Sequence, residues 1–261
     1  MILTLLSDFG NKDYYVALAK GLLLKHIQQV QLVDLSHEVK PYNKLQCSYF
    51  LKSSYSYFPE RTLHLSLFDI LKNFPADLII ANVNGQFILS SDNGLIPLTF
   101  PQDDISYYRV PTQAKSYVDW IEKVAIFIRH WKKQNWDIHS LTPTEPQIDY
   151  QIIAPIVSED TIDCHIIHID RYGNIILNIT KELFEENRKE RNFEIGISRY
   201  EVITKISEDY KEVSEGNPVC IFNSAGLMEI AINKGAAAQL FGWDLKQNQK
   251  ITYQTIKIKF L

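Results

Sequence analysis

The chain has 261 residues, of which 46% are hydrophobic and 22% charged, as is typical of a globular protein with a sizeable core. Its 27 basic and 31 acidic residues give a net charge of -4, so the sequence lacks the basic surface of a nucleic-acid binder. Three widely separated cysteines, Cys47, Cys164 and Cys220, exclude a zinc ribbon and a disulfide framework.

No segment is typical of export or of membrane insertion. The N-terminus lacks a basic region and reaches Asp8 after a short apolar run, so we expect no signal peptide. No apolar run approaches the ~20 residues that a membrane span needs. The 10 glycines form neither G-x-G-x-x-G nor G-x-x-x-x-G-K-[ST]. We therefore expect a cytoplasmic protein with no membrane association and no phosphate-binding loop.

Strand and helix patterns alternate in the first part of the chain. The predicted elements are a strand at Ile2–Leu6, a helix at Tyr14–Ile27 capped by Asp13, a strand at Gln31–Asp34, a helix from the cap Asn43 to Tyr57, and a strand at Leu63–Phe68. A hairpin at Leu78–Val83 and Gln86–Ser90 around Asn84-Gly85 follows, and then a helix at Val118–Gln134. This alternation favours a parallel sheet covered by helices.

The second part of the chain has an almost entirely β pattern. It begins after a proline-containing segment, Leu141–Pro155, which is the predicted linker. Strands are predicted at Ile162–Ile169, Asn174–Ile179, Phe193–Ile197, Val202–Ile206, Val219–Phe222, Met228–Ile232 and Ile251–Ile258, with a helical turn at Gly235–Leu240. The sequence thus predicts an α/β domain with a mainly parallel sheet over residues 1–157, followed by a small all-β, barrel-like domain over residues 158–261.

Four aspartates share a position at the carboxyl end of a predicted strand or hairpin: Asp8, Asp34, Asp69 and Asp92. Ligands of open α/β sheets bind outside these strand ends. Carboxylates there suit a polyol, an amine or a metal ion, although such aspartates also cap helices and turns. A metal-dependent hydrolase therefore stays open as an alternative, without a closely spaced metal motif to support it.

Five strings follow one another in a specific order. They are Ser7–Ala17 with Lys20-Gly21, Val33–His37 with Pro41, Ser91–Leu95, Ile169–Asn174 with Asn178, and Asn223–Ala231 with Gly235. Together they resemble the S-adenosylmethionine hydroxide adenosyltransferase family, which includes the fluorinase and chlorinase enzymes. The resemblance spans nearly the whole chain.

The resemblance implies an α/β domain followed by a β-barrel, assembled as a homotrimer whose nucleoside sites lie at subunit interfaces. Members of the family displace methionine from C5′ of S-adenosylmethionine with water, hydroxide or halide. The implied activity is hydrolysis of S-adenosylmethionine to adenosine and L-methionine, with no cofactor and no metal.

The resemblance also implies roles for four residues of the first domain. Asp8 would hold the ribose hydroxyls, Asp13 would lie near the methionine end of the ligand, and Tyr42 would lie beside the ribose. Asp69 aligns with the aspartate associated with water activation in the hydrolytic members, and is the implied catalytic residue. Burial could raise the pKa of this carboxyl enough for it to act as a base.

Five residues of the second domain are implied to contact the ligand. Asp170 would meet the methionine ammonium group, Asn174 the adenine edge, and Tyr172 would pack against the ligand. Asn223 and Ser224 lie in the second binding segment of this domain.

Two other residues of the hydrolytic members are absent. Pro75-Ala76-Asp77 stands where they have an arginine, and the segment Ser116–Asp119 lacks their histidine. The turn Ile70–Pro75 also lacks the proline- and glycine-rich composition of the family. The alternative function is therefore a catalytically reduced protein that binds S-adenosylmethionine or adenosine without turnover, and halogenation is a third possibility.

Overall fold

A computed structural model describes residues 1–70, 77–101, 105–148, 154–198, 201–243 and 255–261. The chain forms two compact units, unit 1 (residues 1–151) and unit 2 (residues 152–261). This division lies near the boundary predicted after residue 157. The intervening strand Ile156–Val157 pairs with Thr161–Ile169 and therefore lies in unit 2.

Unit 1 is an α/β unit. Its elements are β1 (Ile2–Ser7), α1 (Tyr15–His26), β2 (Gln31–Ser36), α2 (Lys44–Tyr55), β3 (Leu63–Leu67), β4 (Leu78–Val83), β5 (Gln86–Ser91), α3 (Leu95–Thr99), β6 (Tyr107–Val110), α4 (Tyr117–Lys133), a 3₁₀ turn (Ile138–Ser140) and β7 (Thr142–Thr144). The sheet order is β2-β1-β3-β5-β4-β6-β7. Neighbours from β2 to β5 are parallel, and β4, β6 and β7 add antiparallel pairs. The predicted α/β domain is confirmed, and its sheet is mixed, with a parallel part from β2 to β5.

The apolar strands of unit 1 are buried on both faces because helices cover each side. In β1, Leu5 packs in one core cluster with residues of α1 and α4, whereas its neighbour Leu6 packs in another with residues of α2 and α3. Successive side chains of a strand point to opposite faces, so one short apolar run contributes to both cores. Because β2, β1, β3 and β5 are parallel, their carboxyl ends lie along one edge of the sheet.

Two features of unit 1 differ from the sequence-based expectations. The Asp13 cap was wrong: α1 begins at Tyr15 after Tyr14, which makes no side-chain capping bond. The Asn43 cap is confirmed, because its side chain accepts a hydrogen bond from the Gln46 backbone at 3.0 Å. The predicted linker contains strand β7, which pairs with β6 at the sheet edge, where a proline is tolerated.

Unit 2 is built almost entirely of antiparallel strands. Its elements are β8 (Ile156–Val157), β9 (Thr161–Ile169), β10 (Ile175–Thr180), α5 (Lys181–Arg188), β11 (Phe193–Gly196), β12 (Val202–Ile203), a 3₁₀ turn (Tyr210–Glu212), β13 (Pro218–Phe222), β14 (Leu227–Ile232), α6 (Ala237–Leu240) and β15 (Thr255–Phe260). The sheet order is β12-β11-β15-β9-β10-β14-β13, with β8 beside β9. Just after β12, the Ser207 N–H donates to the Cys220 carbonyl of β13 at 2.8 Å and draws the two ends together. The barrel-like prediction is confirmed.

Two differences concern the helix and the last strand of unit 2. Helix α5 was not predicted, although Thr180 caps it by accepting from the Leu183 backbone at 3.2 Å and Phe184 is buried beneath it. Of the predicted strand Ile251–Ile258, residues 251–254 lie outside the described residues. Throughout the described part of the chain, no helix is both long and apolar enough to cross a membrane.

Candidate functional site

The carboxyl ends of neighbouring parallel strands bring acidic residues together in unit 1. Asp8 follows β1 and Asp69 lies two residues after β3, and the register pairs Ser7 with Leu67. The Asp69 N–H donates to Asp8 Oδ1 at 3.4 Å. Asp92 follows β5, the next strand of the sheet. We call Asp8, Asp69 and Asp92 the acidic edge, and it is the kind of position at which α/β sheets bind ligands.

Asp8 is a partly buried carboxyl of the acidic edge. Burial raises its pKa above the ordinary value of 3.8, and the charge of Asp69 acts in the same direction. Hydrogen bonds from the backbone N–H groups of Asp8 and Asp69 oppose the shift without cancelling it. A ligand that donates hydrogen bonds or carries positive charge would offset the cost of ionising this carboxyl.

Asp69 has an uncommon backbone conformation. Its φ is 56°, in the left-handed region that aspartate tolerates better than most residues. Such conformations are found at functional sites, where the surrounding structure holds them in place. This geometry turns the Asp69 N–H towards Asp8. Of the altered turn that follows, residues 71–76 lie outside the described residues.

Asp34 belongs to a structural network rather than to the acidic edge. It lies within β2 opposite Leu5, and Lys20 Nζ donates to its Oδ2 at 2.5 Å. His37 Nε2 lies 3.1 Å from Asp34 Oδ1, and His37 Nδ1 is hydrogen-bonded to Ser7 Oγ at 2.7 Å. Burial opposes ionisation of Asp34, but these two partners lower its pKa below the ordinary value. The network fixes the segment that leads into Asp8.

An aromatic cluster beside the acidic edge contains a residue that the sequence reasoning missed. The Tyr117 ring packs edge-on against Phe9 at 5.6 Å and against Tyr15 at 5.9 Å, measured between ring centres. Its hydroxyl is buried, with no hydrogen-bond partner among the described residues. Burial raises the pKa of Tyr117, and the charges of Tyr15 and Asp8 add to the shift. The sequence signal for Tyr117 was its position in the segment Ser116–Asp119, where the resemblance leads one to expect a histidine.

Two other residues predicted in the first domain lie on loops. Asp13 is exposed and precedes α1. Tyr42 lies between β2 and α2, is 51% exposed and has a φ of 65°, an unusual backbone for a tyrosine. Both side chains are accessible from solvent, and their roles towards a ligand stay predictions.

Unit 2 contains a cleft of about 570 Å³, a volume that suits a small-molecule ligand. Its lining includes three of the residues predicted from the sequence, Asp170, Tyr172 and Asn174, together with Tyr210. Tyr172 is 77% exposed and offers an accessible aromatic ring. The cleft thus combines a carboxylate, two amides, the Lys234 side chain and two aromatic rings.

A tight turn between β9 and β10 places these residues. Asp170 Oδ1 accepts hydrogen bonds from the backbone N–H groups of Tyr172 at 2.9 Å and Asn174 at 2.8 Å. Gly173 has a φ of 81°, and a Cβ there would lie 2.7 Å from the Cβ of Ala236. The close approach requires glycine, because a side chain would disturb both the turn and its contact with the start of α6.

Glu229 lies at the centre of a buried hydrogen-bonded network that the sequence reasoning also missed. Its Oε1 accepts from Asn174 Nδ2 at 2.9 Å and from the Tyr210 hydroxyl at 2.6 Å, and its Oε2 accepts from Asn223 Nδ2 at 3.2 Å. Glu229 is only 5% exposed. Burial and the hydrogen bond to Glu229 raise the pKa of Tyr210. The sequence signal was an acidic residue inside the apolar pattern of β14.

Asn223 and Ser224 lie in the turn before β14. Asn223 Oδ1 accepts from the backbone N–H groups of Ala225 at 3.0 Å and Leu227 at 3.2 Å, and its amide nitrogen reaches the network through Glu229. Ser224 is exposed and does not belong to the cleft lining. Its contact with a ligand stays a prediction.

The described ranges of the chain contain no cluster of three or more His, Cys, Asp or Glu side chains that could hold a metal ion. These ranges form an α/β unit with an acidic edge and a barrel-like unit with a cleft lined by polar and aromatic residues. These features define a protein of two units, each with a candidate site for a small ligand.

Comparison with known proteins identifies the family. Residues 3–127 match the S-adenosylmethionine hydroxide adenosyltransferase N-terminal domain, and residues 164–250 match the C-terminal domain of the same family. The two matches together cover well over half of the chain, in the order in which the two units occur. The chain belongs to the S-adenosylmethionine hydroxide adenosyltransferase family.

Individual relatives resemble the chain over most of its length. It is 26% identical to the (R)-S-adenosyl-L-methionine hydrolase of Methanocaldococcus jannaschii, over 97% of this chain and 96% of that protein. It is 27% identical to the enzyme of the same name from Thermus thermophilus, over 91% of this chain and 94% of that protein. The crystal structure of an uncharacterized conserved protein from Thermotoga maritima shares the fold, with a TM-score of 0.80 at 20% identity, covering 99% of this chain and 100% of that chain.

Proposed function

We propose that this protein hydrolyses S-adenosylmethionine to adenosine and L-methionine. The observation that carries the proposal is the juxtaposition of Asp8 and Asp69 at the ends of β1 and β3, linked by a hydrogen bond from the Asp69 N–H. Two relatives that carry the name of this activity align with nearly the whole chain. The family resemblance implies that both acidic residues have counterparts in the hydrolytic members, whereas the arginine and histidine of those members have none here.

The chemistry needs positioning more than acid catalysis. A water molecule attacks C5′, the C5′–S bond breaks, methionine leaves as a neutral thioether, and the proton lost by the water passes through Asp69 to solvent. Because the leaving sulfur starts as a sulfonium, no general acid is required. Asp69 orients the water and accepts its proton, and alignment of the attacking oxygen supplies much of the rate.

Each unit contributes ligand contacts in this proposal. Asp8 binds the ribose hydroxyls, with Tyr42 beside the ribose and Asp13 near the methionine end. The raised pKa of Asp8 supports its role, since hydrogen bonds from a diol would stabilise its ionised form.

The cleft of unit 2 binds the rest of the ligand. Asp170 meets the methionine ammonium group, Asn174 meets the adenine edge, and Tyr172 packs against the ligand. Asn223 and Ser224 belong to the second binding segment. The support for these roles is that Asp170, Tyr172 and Asn174 line one cleft and are fixed by one turn.

We further propose that the reaction needs no cofactor and that the active protein is a homotrimer with nucleoside sites at subunit interfaces. Light scattering would then give a mass of three times 30.3 kDa. Activity that survives a chelator would support a metal-free reaction, and loss of activity that added metal restores would contradict it. A cytoplasmic location stays a prediction from the sequence.

The reaction is tested by incubating the purified chain with S-adenosylmethionine in H₂¹⁸O and separating the products by chromatography with mass detection. We expect equal amounts of adenosine and methionine, with one ¹⁸O in adenosine, because water forms the new bond to C5′. Adenosine no higher than in a heat-inactivated control would refute hydrolysis. A halide-containing nucleoside formed in chloride or fluoride buffer would indicate halogenation instead.

The absent arginine and histidine favour a second candidate, a protein that binds S-adenosylmethionine or adenosine without turnover. Calorimetric titration separates the two, because the binding protein shows heat of binding but releases no adenosine. Absence of binding for both ligands would refute this candidate.

A further inference from the structure

The side-chain amide of Asn174 is held between two carboxylates in the cleft of unit 2. Its Nδ2 donates to Glu229 Oε1 at 2.9 Å and to Asp170 Oδ2 at 3.3 Å. An ionised carboxylate only accepts hydrogen bonds, so the amide must turn its NH₂ group towards both partners. Both amide hydrogens are then in use, and the Asn174 oxygen is the atom left to meet a ligand.

Backbone N–H groups fix the orientation of the hydrogen bonds around Glu229 and Asn174. Asn223 Oδ1 accepts from the Ala225 and Leu227 N–H groups, so the Asn223 amide nitrogen must face Glu229. Glu229 therefore accepts at Oε2 from Asn223 and at Oε1 from two donors, the Asn174 amide and the Tyr210 hydroxyl. Glu229 accepts hydrogen bonds at both oxygens. Turning the Asn174 amide over would therefore place its oxygen against a carboxylate oxygen, with no hydrogen between them.

We propose that Glu229 is a specificity-determining positioning residue: by locking the Asn174 amide with its oxygen towards the cleft, it selects a purine that carries a 6-amino group over one that carries a 6-oxo group. This inference rests on the proposed function, which places the adenine edge at Asn174. Glu229 acts through Asn174 and does not itself touch the ligand.

The two purines differ at the atom that Asn174 reads. The 6-amino group of adenosine donates to the Asn174 oxygen, whereas the 6-oxo group of inosine brings a second acceptor against it. Sites built around a buried hydrogen bond reject a ligand that cannot complete it, because the desolvated group is left unpaired. We expect the wild-type chain to bind adenosine about 10- to 100-fold more tightly than inosine.

The substitution Glu229→Gln should remove the fixed orientation of the Asn174 amide. Since the Asn223 amide nitrogen must still face position 229, the new amide turns its oxygen towards Asn223 and its NH₂ towards Asn174. Asn174 then lies between opposing partners, because the new NH₂ at position 229 donates towards it while Asp170 Oδ2 still accepts from its Nδ2, so its amide is no longer held in one orientation. The Tyr210 hydroxyl can accept as well as donate, so it tolerates the exchange.

The test is calorimetric titration of the full chain with adenosine and with inosine, for wild type and Glu229→Gln. The inference expects the affinity ratio of adenosine to inosine to fall at least about 10-fold in the variant. An unchanged ratio in a folded variant that still binds adenosine would overturn the inference and leave the proposed function standing. A wild-type chain that binds neither nucleoside would refute both.

A matched control is Glu182→Gln, which makes the same change at an exposed position in the first turn of α5 and should leave the ratio unchanged. Asn174→Ala should bring the ratio close to one by removing the reading group. If Glu229→Gln does not fold, NMR of the wild-type chain decides: the inference expects slow solvent exchange of both Asn174 side-chain amide protons, and fast exchange would contradict it.

Discussion

The half-buried Asp8 of unit 1 and the buried Glu229 of unit 2 differ in how their carboxyl groups are compensated. At the acidic edge, burial of Asp8 and the neighbouring charge of Asp69 raise the pKa of Asp8. In unit 2, Asn174, Tyr210 and Asn223 all donate to Glu229. The raised pKa means that ionising Asp8 costs free energy, and a ligand can offset this cost. The hydrogen-bonded network of Glu229 is complete before any ligand arrives and therefore serves to preorganise the cleft.

Asp34 is a carboxylate of unit 1 whose charge is compensated by neighbouring side chains. It lies on the strand beside β1, yet Lys20 and His37 keep its pKa below the ordinary value. The difference between Asp34 and Asp8 is therefore one of local partners and not of position in the sheet. Burial that is only partly compensated distinguishes Asp8 from Asp34.

The largest effect is expected from removing the proposed base. Asp69→Asn should lower kcat about 10²- to 10⁴-fold, because general-base assistance is worth this much, while the melting temperature changes little. Asp137→Asn is the matched control, since Asp137 is exposed and asparagine retains its capping bond to His139. Equal turnover in Asp69→Asn and wild type would remove Asp69 from the mechanism.

The next effect concerns the rigid turn of unit 2. Gly173→Ala should lower the free energy of unfolding by about 2–4 kcal/mol, since the added Cβ meets Ala236 and the left-handed backbone disfavours alanine. Gly216→Ala has a similar φ of 82° with open space around it, and should cost only about 1–2 kcal/mol. Chemical denaturation measures both, and equal losses would show that the contact with Ala236 contributes nothing.

A pair of asparagine substitutions separates the two kinds of carboxyl in unit 1. The raised pKa of Asp8 means that its favourable contribution is complete below about 3.8 and is lost as pH rises through the folded-state pKa. Asp8→Asn should therefore stabilise the fold relative to wild type at neutral pH while weakening ligand binding. Asp34 has a lowered pKa, so its contribution is present above about 3.8 and is lost as pH falls through the folded-state value.

Asp34→Asn should consequently destabilise the fold at neutral pH, and the difference from wild type should vanish in acid. Unfolding free energies measured across the acidic range check both signs. If the two variants change stability in the same direction at neutral pH, the contrast between the acidic edge and its surroundings is wrong.

The smallest effects concern two tyrosine hydroxyls, one on Tyr210, which is 37% exposed, and one on Tyr117, whose hydroxyl is buried. Tyr210→Phe should cost about 1.5–3 kcal/mol, because it removes a hydrogen bond to the buried Glu229 carboxylate. Tyr117→Phe should instead raise stability by about 1 kcal/mol or less, since its hydroxyl is buried without a described partner. Thermal unfolding compares the two, and a large loss in Tyr117→Phe would reveal a partner for its hydroxyl.

The sequence predicted much of the architecture because its signals are local. The apolar run of β1 and the Asn43 cap each depend on neighbouring residues only, and both were confirmed. Strand β7 and helix α5 were missed for the opposite reason. A three-residue strand containing proline is stabilised by its partner β6, and the charged α5 sequence is held by burial of Phe184.

The sequence by itself determined the order of strands and helices, the family-like strings and the candidates Asp8, Asp69, Asp170 and Asn174. Only the tertiary structure decided which carboxyl groups are compensated, since this depends on residues distant in the chain. Lys20 reaches Asp34, and Tyr210 reaches Glu229, across different elements. Burial and hydrogen bonding are properties of the packed fold, and they separate a strained acidic edge from a completed polar network.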